Sequence, residues 1–93
     1  MEYEYEWDDG KAARNLAKHS ASFESVKDFE WSRASVKEDR RREYGEVRFI
    51  AVGYVNGRLH VLVFTRRGVK VRVIGLRKAN AREIVRYENS QET

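Results

Sequence analysis

The chain contains no cysteine. This absence excludes disulfide bonds, thiolate catalysis and zinc sites with cysteine ligands, and it fits a reducing compartment, so we expect a cytoplasmic protein. Long apolar runs are also missing, because the longest aliphatic or aromatic run is the segment 61–64, and the first residues are acidic. The sequence therefore predicts neither a signal peptide nor a membrane span.

Several catalytic motifs are absent as well. The sequence has no phosphate-binding loop of the GxxxxGK type and no GxSxG motif, and its two histidines, His19 and His60, lack metal-ligand spacing. Its acidic residues form no pattern that distinguishes a magnesium ligand from a surface carboxylate. We therefore expect no metal site and no cofactor.

The composition is that of a small, highly charged domain. With 93 residues and 41% hydrophobic residues, the chain can build one core, so we expect a single domain over residues 1–93. The net charge of +4 is unevenly distributed: residues 1–10 hold five acids, whereas the segment from Arg58 to Arg86 holds nine Lys or Arg and the single acid Glu83. This asymmetry suggests a polyanionic partner, and a merely solvated basic face is the alternative.

The first half of the chain predicts a strand followed by two helices. Tyr3, Tyr5 and Trp7 alternate with glutamates, which indicates a short half-buried strand. Asp8 and Asp9 offer an N-cap and an acidic first turn to a helix that ends near His19. A second, shorter helix begins after Ser22 and directs Phe23, Val26 and Phe29 into the core, whereas residues 34–36 are a possible edge strand and residues 39–43 an exposed loop.

The second half predicts a strand meander and a closing helix. Asn56-Gly57 separates two β-rich runs, as in a type I′ hairpin, and a further strand covers Val69 to Ile74. Asn80 and Glu83 match a capping box at the start of the last helix. The order of elements indicates an α+β fold, in which N-terminal helices and a C-terminal helix pack on an antiparallel sheet of three to four strands.

Arginine and lysine beside aromatic residues suit RNA phosphates and bases. If the reaction is RNA cleavage, the 2′-OH of the substrate can be the nucleophile, and the protein needs only a base, an acid and cations. His19 can transfer protons or simply close its helix, and His60 is interpreted as a strand residue. Arg72 can bind phosphate or pair with Glu43 or Glu46, whereas Arg77 and Lys78 can share an anion with the last helix N-terminus.

Across nearly its whole length, the sequence resembles the BrnT family, the toxins of bacterial type II toxin–antitoxin pairs. The resemblance is carried by motifs in a characteristic order: Glu6-Trp7-Asp8, Lys11, Asn15, Lys18-His19, Phe23, Arg48-Phe49, Gly53, Gly57-Arg58-Leu59, Val71-Arg72-Val73-Ile74, Arg77-Lys78-Ala79, Arg82-Glu83 and Tyr87.

The resemblance implies a RelE-like fold and a metal-independent ribonuclease that arrests growth. It also implies neutralisation by a BrnA-type ribbon-helix-helix antitoxin in a higher-order complex, with operator DNA contacted only through the antitoxin. Carried over to this sequence, the catalytic residues are expected to be Arg48, Arg77, His19 and Arg72. Lys18 and Lys78 are expected from the resemblance to bind RNA, and the basic run beside Phe64 adds Arg66, Arg67 and Lys70 as further expected RNA-binding residues.

The sequence departs from the family pattern at three places. Asp9 stands where proline often begins the helix, Ser20 where glycine is common, and Gly75-Leu76 where Ser-Ala is frequent. The last departure removes a hydroxyl beside Arg77 that could contact a phosphate. A non-catalytic module that binds nucleic acid or docks the antitoxin is therefore the alternative function.

Overall fold

The computed structural model describes residues 3–91, and over this range the chain forms two α-helices, two 3₁₀ helices and five strands. The strands are β1 Glu4–Glu6, β2 Ser35–Asp39, β3 Arg48–Val55, β4 Arg58–Arg67 and β5 Lys70–Lys78. The α-helices are α1 Asp9–His19 and α2 Ala81–Gln91, and the 3₁₀ helices cover Phe23–Asp28 and Trp31–Arg33.

The five strands form one sheet in the order β1-β5-β4-β3-β2. Strands β2 to β5 are the antiparallel meander, and β1 adds a fifth strand parallel to β5. The predicted α+β class is confirmed. The predicted hairpin is also observed, because Asn56 and Gly57 both have positive φ and Val55 is in register with Arg58.

One face of the sheet carries the main core. The first 3₁₀ helix buries Phe23 and Val26 against it, with Ser22 as N-cap, and Phe29 follows directly. The three-residue spacing of these apolar side chains matches the three residues per turn of a 3₁₀ helix and directs them to one side. Edge-to-face contact between Trp31 and Phe64, with ring centroids 5.3 Å apart, joins the second 3₁₀ helix to the sheet.

Helix α1 packs Ala12 against the main core and is also tied to the sheet by a side-chain amide. As predicted, Asp8 caps the helix by accepting a hydrogen bond from the backbone N–H of Lys11. Asn15 accepts a hydrogen bond from the backbone N–H of Leu76 at 3.3 Å and donates one to its carbonyl at 2.7 Å. The Asn15 amide thus continues the hydrogen bonding of β5 beyond the end of β1, and it brings the C-terminal turn of α1 to the sheet.

Helix α2 covers only part of the opposite sheet face. Its predicted capping box is present, because Asn80 and Glu83 exchange hydrogen bonds between side chain and backbone at 2.8 and 2.9 Å. Tyr87 packs with Leu59, Val61 and Ala79 in a small cluster at one end of this face. The middle of the face remains open to solvent as a cleft.

Candidate active site

The open part of the second sheet face is a cleft of about 650 Å³, here called the basic cleft. Its floor is aliphatic and consists of Ile50, Val52, Val61 and Val63. The charged side chains on its walls are mostly cationic: Lys37, Arg41, Arg77 and Arg86, with the single acid Glu83, and His19 lies beside them. Such a site combines a surface for an apolar or flat group with cations for an anion.

Arg77 and Glu83 form a two-pronged ion pair in the basic cleft. Nη1 and Nη2 of Arg77 each donate to one carboxylate oxygen of Glu83 at 2.8 Å. The hydrogen bonds from Arg77, outweighing the opposing effect of burial, lower the pKa of Glu83 to about 2. Glu83 is therefore ionised at neutral pH, and its arrangement fits holding Arg77 in place better than transferring protons.

Arg48 and Arg72 lie in one row across the same sheet face. Both are in register with Thr65 of the intervening strand β4, and side chains in register point to the same face. Arg48 donates to Glu46 at 3.1 Å, and Arg72 donates to Glu6 at 3.0 Å. The sequence offers Glu43 and Glu46 as partners of Arg72, but its partner in the structure is Glu6, because β1 lies beside β5.

A neighbouring row of residues, which contains Val63 and Gly75, lies between these two arginines and Arg77. Val63 is in register with Gly75, and Val61 with Arg77, so Arg72 and Arg77 are four β4 positions apart, or roughly 13 Å along the strand. Arg48, Arg72 and Arg77 therefore share one face, with Arg77 in the basic cleft and the other two beyond it. Each has an acidic partner, and each keeps guanidinium donors that make no hydrogen bond within residues 3–91.

His19 lines the basic cleft from the end of α1. It is the last helical residue, because Ser20 follows it in the left-handed conformation with φ of 56°. Lys18, next to it on α1, is exposed and does not line the cleft. The second histidine, His60, is buried, with Nδ1 2.7 Å from the carbonyl oxygen of Arg58, in keeping with its interpretation as a strand residue.

The other predicted RNA-binding residues lie on both faces of the sheet. Arg67 and Lys70 are in register with each other and lie on the face of Arg72, at the far end from the basic cleft. Arg66 is in register with the buried Val71, and Lys78 follows Arg77, so strand alternation directs both to the opposite face. The structure thus does not bring Arg66 and Lys78 together with Arg77.

Three cations of the basic cleft were missed by the sequence analysis: Lys37, Arg41 and Arg86. Lys37 belongs to an exposed edge strand that extends beyond the predicted residues 34–36, to Asp39. Arg86 could have been found, since Glu83, Arg86 and Tyr87 follow the three- and four-residue spacing of one helix face. Arg41 follows no periodic pattern, because it is placed by an ion pair with a neighbour in sequence.

No group of three or more His, Asp or Glu side chains that could hold a metal ion occurs within residues 3–91. Over the same range, no helix is long and apolar enough to cross a membrane.

Fold and cleft together define a small α+β protein with a cationic cleft on a partly covered sheet face. A family model described as the ribonuclease toxin BrnT of type II toxin–antitoxin systems matches residues 7–83. A crystal structure of the Brucella abortus ribonuclease toxin BrnT superposes with a TM-score of 0.68 at 27% sequence identity, over 84% of this chain and 97% of that chain. A search of curated protein sequences finds no match.

The chain belongs to the BrnT family of ribonuclease toxins. Membership identifies RNA as the substrate class and a cognate antitoxin as the partner. The resemblance seen in the sequence is confirmed.

Proposed function

We propose that this chain cleaves RNA without a metal ion, using the basic cleft and the row of Arg48 and Arg72 beside it. The observation that carries the proposal is the position of Arg77, which lies in the cleft with His19 and is fixed by two hydrogen bonds to Glu83. A guanidinium held in this way is oriented before the substrate arrives. Such preorganised cations stabilise charge that develops in a transition state.

In the proposed reaction, the 2′-OH of one nucleotide attacks the adjacent phosphorus. A base removes the 2′-OH proton, and an acid protonates the leaving 5′ oxygen, so the products end in a 2′,3′-cyclic phosphate and a 5′-OH. His19 is the group in the basic cleft suited to carry one of these protons. Arg77, Arg48 and Arg72 neutralise the charge that builds on the phosphorane oxygens.

RNA binding extends along the same sheet face in this proposal. Arg67 and Lys70 continue the row beyond Arg72, and Lys18 is adjacent in sequence to His19, so these cations bind flanking phosphates. Arg66 and Lys78 reach only RNA that passes to the other side of the sheet. Their role stays a prediction.

We further propose that the cognate antitoxin is a ribbon-helix-helix protein of the BrnA type. It would hold the toxin inactive in a higher-order complex in the cytoplasm. Operator DNA would be contacted by the antitoxin only, and the toxin would make no DNA contact of its own. The support is the family assignment. The charge of the basic cleft does not identify the partner, because it is complementary to any acidic protein. Release of the toxin would arrest growth.

The proposal is tested by incubating the purified chain with end-labelled RNA in excess EDTA. Cleavage that leaves 2′,3′-cyclic phosphate ends supports it. Arg77→Ala should lower the cleavage rate about 100-fold, since a hydrogen-bonded charge contact contributes about 1.5–3 kcal/mol. Arg58→Ala is the matched control, because it removes an arginine of the same sheet that lies outside the cleft. Intact RNA, or a requirement for Mg²⁺, would contradict the proposal.

A non-catalytic role in nucleic-acid binding or antitoxin docking is the second candidate, and one observation favours it. Gly75, two residues before Arg77 on β5, lines the basic cleft and carries no hydroxyl group that could contact a phosphate. Salt-sensitive RNA binding without turnover would support this function. Cleavage restored by removing a co-purified antitoxin would exclude it.

A further inference from the structure

The segment that follows β2 contains an unusual buried carboxylate. Strand β2 is exposed along its length except at its last residue, Asp39, whose side chain is 1% exposed. The segment from Arg40 to Tyr44 wraps around this carboxylate. Because ionised carboxylates are seldom buried without partners, Asp39 has a specific structural task.

Asp39 accepts four hydrogen bonds from two residues of this segment. Arg41 donates from its backbone N–H at 3.2 Å and from Nε at 2.8 Å to Oδ1, and from Nη2 at 2.8 Å to Oδ2. The hydroxyl of Tyr44 donates to Oδ2 at 3.0 Å. The hydrogen bonds from Arg41 hold the pKa of Asp39 well below its usual range, so the carboxylate stays ionised.

The side chain of Arg41 is fixed in orientation and yet 68% exposed. It lines the basic cleft, and its Nη1 makes no hydrogen bond within residues 3–91. A guanidinium with one edge bound to a carboxylate and the other edge free has donors left for a phosphate.

Arg41 lies close enough to Arg77 for their charges to interact. The positive charge of Arg41 opposes the rise in the pKa of Arg77 that Glu83 causes. Two guanidinium groups that face the same space repel each other, and an anion between them replaces repulsion by attraction. The pair therefore favours an anionic ligand in the cleft.

The same carboxylate reaches a second cation through Tyr44. The Tyr44 ring lies under the guanidinium of Arg48, with 4.2 Å from the Arg48 Cζ to the ring centroid. Since the Tyr44 hydroxyl is bound to Asp39, the carboxylate also orients the surface on which Arg48 rests. Asp39 thereby connects the basic cleft with the outer row of arginines.

We propose that Arg41 binds an RNA phosphate in the basic cleft together with Arg77, and that Asp39 is the positioning residue that orients Arg41 for this contact. This inference rests on the proposed function, because it adds a phosphate-binding residue to the same site. It adds Arg41, from the segment that follows β2, to the RNA surface.

The experiment measures binding of a fluorescein-labelled 2′-O-methyl RNA oligonucleotide by anisotropy. This RNA lacks the free 2′-OH and is not cleaved, so binding is separated from catalysis. Arg41→Gln should weaken binding about tenfold, the loss of one charged hydrogen-bond contact. Arg42→Gln is the matched control. It removes the same charge at the next residue, whose side chain does not line the cleft, and it should change the affinity less than about twofold.

The role of Asp39 is tested by a double-mutant cycle. Asp39→Asn should weaken RNA binding in the unaltered chain but have little further effect in Arg41→Gln. A purely structural role would lower the melting temperature and give equal losses in both backgrounds. Such additive losses would overturn the positioning role.

The variant Arg77→Gln distinguishes a failure of the inference about Arg41 from a failure of the proposed function. If Arg77→Gln weakens binding while Arg41→Gln behaves like Arg42→Gln, the inference about Arg41 is overturned and the proposed function stands. If neither Arg41→Gln nor Arg77→Gln changes affinity, or if the unaltered chain does not bind RNA, both are overturned.

Discussion

Glu83 binds Arg77 through both carboxylate oxygens, at 2.8 Å each, and one of these oxygens also accepts the backbone N–H of Asn80 at 2.9 Å. One carboxylate thus begins helix α2 and fixes the central cation of the basic cleft. Helix formation and site geometry are coupled at this residue.

Acid should weaken the fold partly through Glu83. Its folded pKa of about 2 lies below the ordinary value of 4.5, so its ionised form adds stability above about pH 4.5 that is lost as the pH falls towards 2. Because solvent screens the pair, we expect Glu83→Gln to cost about 1 kcal/mol at pH 7. Urea unfolding between pH 2 and 7 measures this.

The stability of Glu83→Gln should also vary less with pH across that window than the stability of the unaltered chain. Glu88→Gln, at an exposed position on the same helix, is the control, because it removes a glutamate without touching the pair of Glu83 and Arg77. An equal acid-induced loss in Glu83→Gln and the unaltered chain would contradict the prediction.

Arg72→Ala should abolish growth arrest without unfolding the protein. Arg72 and Glu6 are each 28% exposed, and ion pairs at such positions contribute only about 0–1 kcal/mol to stability. Its cation, however, belongs to the proposed phosphate-binding row. Growth after induced expression, with circular dichroism of the purified variant, gives the two readouts. Undiminished toxicity of a folded variant would remove Arg72 from the site.

Two glycines of the sheet should respond oppositely to alanine. A Cβ at Gly53 would lie 2.8 Å from Cζ of the buried Phe29 and 3.2 Å from Cβ of Ala34, whereas a Cβ at Gly75 would meet nothing closer than 3.9 Å. Gly53→Ala should therefore destabilise by about 1–3 kcal/mol through overpacking. Gly75→Ala should stabilise by about 0.5–1 kcal/mol, since glycine weakens strands. Thermal unfolding of both variants distinguishes these effects, and similar melting temperatures would contradict the account.

Asn15→Ala should destabilise the protein by about 2–3 kcal/mol. Asn15 makes two hydrogen bonds to Leu76 and a third, 3.0 Å long, to the carbonyl of Ala21, and their loss leaves partly buried backbone groups unpaired. His19 is one helical turn further along α1, so RNA cleavage should fall as well. Asn89→Ala, at an exposed position of α2, is the control. Equal chemical-denaturation midpoints for the two variants would show that Asn15 is not structural.

The parts of the fold that follow from local chemistry could be predicted from the sequence. The Asn56-Gly57 turn, the capping box of Asn80 and Glu83, and the cap at Asp8 all depend on side chains within a few residues of each other. The extent of β2 could not be predicted in this way, because its exposed residues show no apolar alternation. Its pairing with β3 is decided by the sheet and not by the strand itself.

The candidate site was predictable only in part, for a related reason. Arg77 precedes a helix start and Arg72 lies in a regular strand, so their elements could be predicted, but the partner of Arg72 could not, because Glu6 reaches it only through the pairing of β1 with β5. Arg41 is placed by the buried carboxylate of Asp39, and burial of that carboxylate depends on how the chain folds over it. No periodic pattern in the sequence predicts such a contact.

The two faces of the sheet differ in how well they tolerate amino-acid substitutions. One face is filled by Phe23, Phe64 and their neighbours, where almost any substitution disturbs close packing. The basic cleft on the other face has a half-open aliphatic floor and walls of solvated cations. Exchanges at an exposed cation of this cleft, such as Lys37, should therefore cost little folding stability, whereas Asn15 and Glu83, which also line it, are constrained by their hydrogen bonds to the backbone.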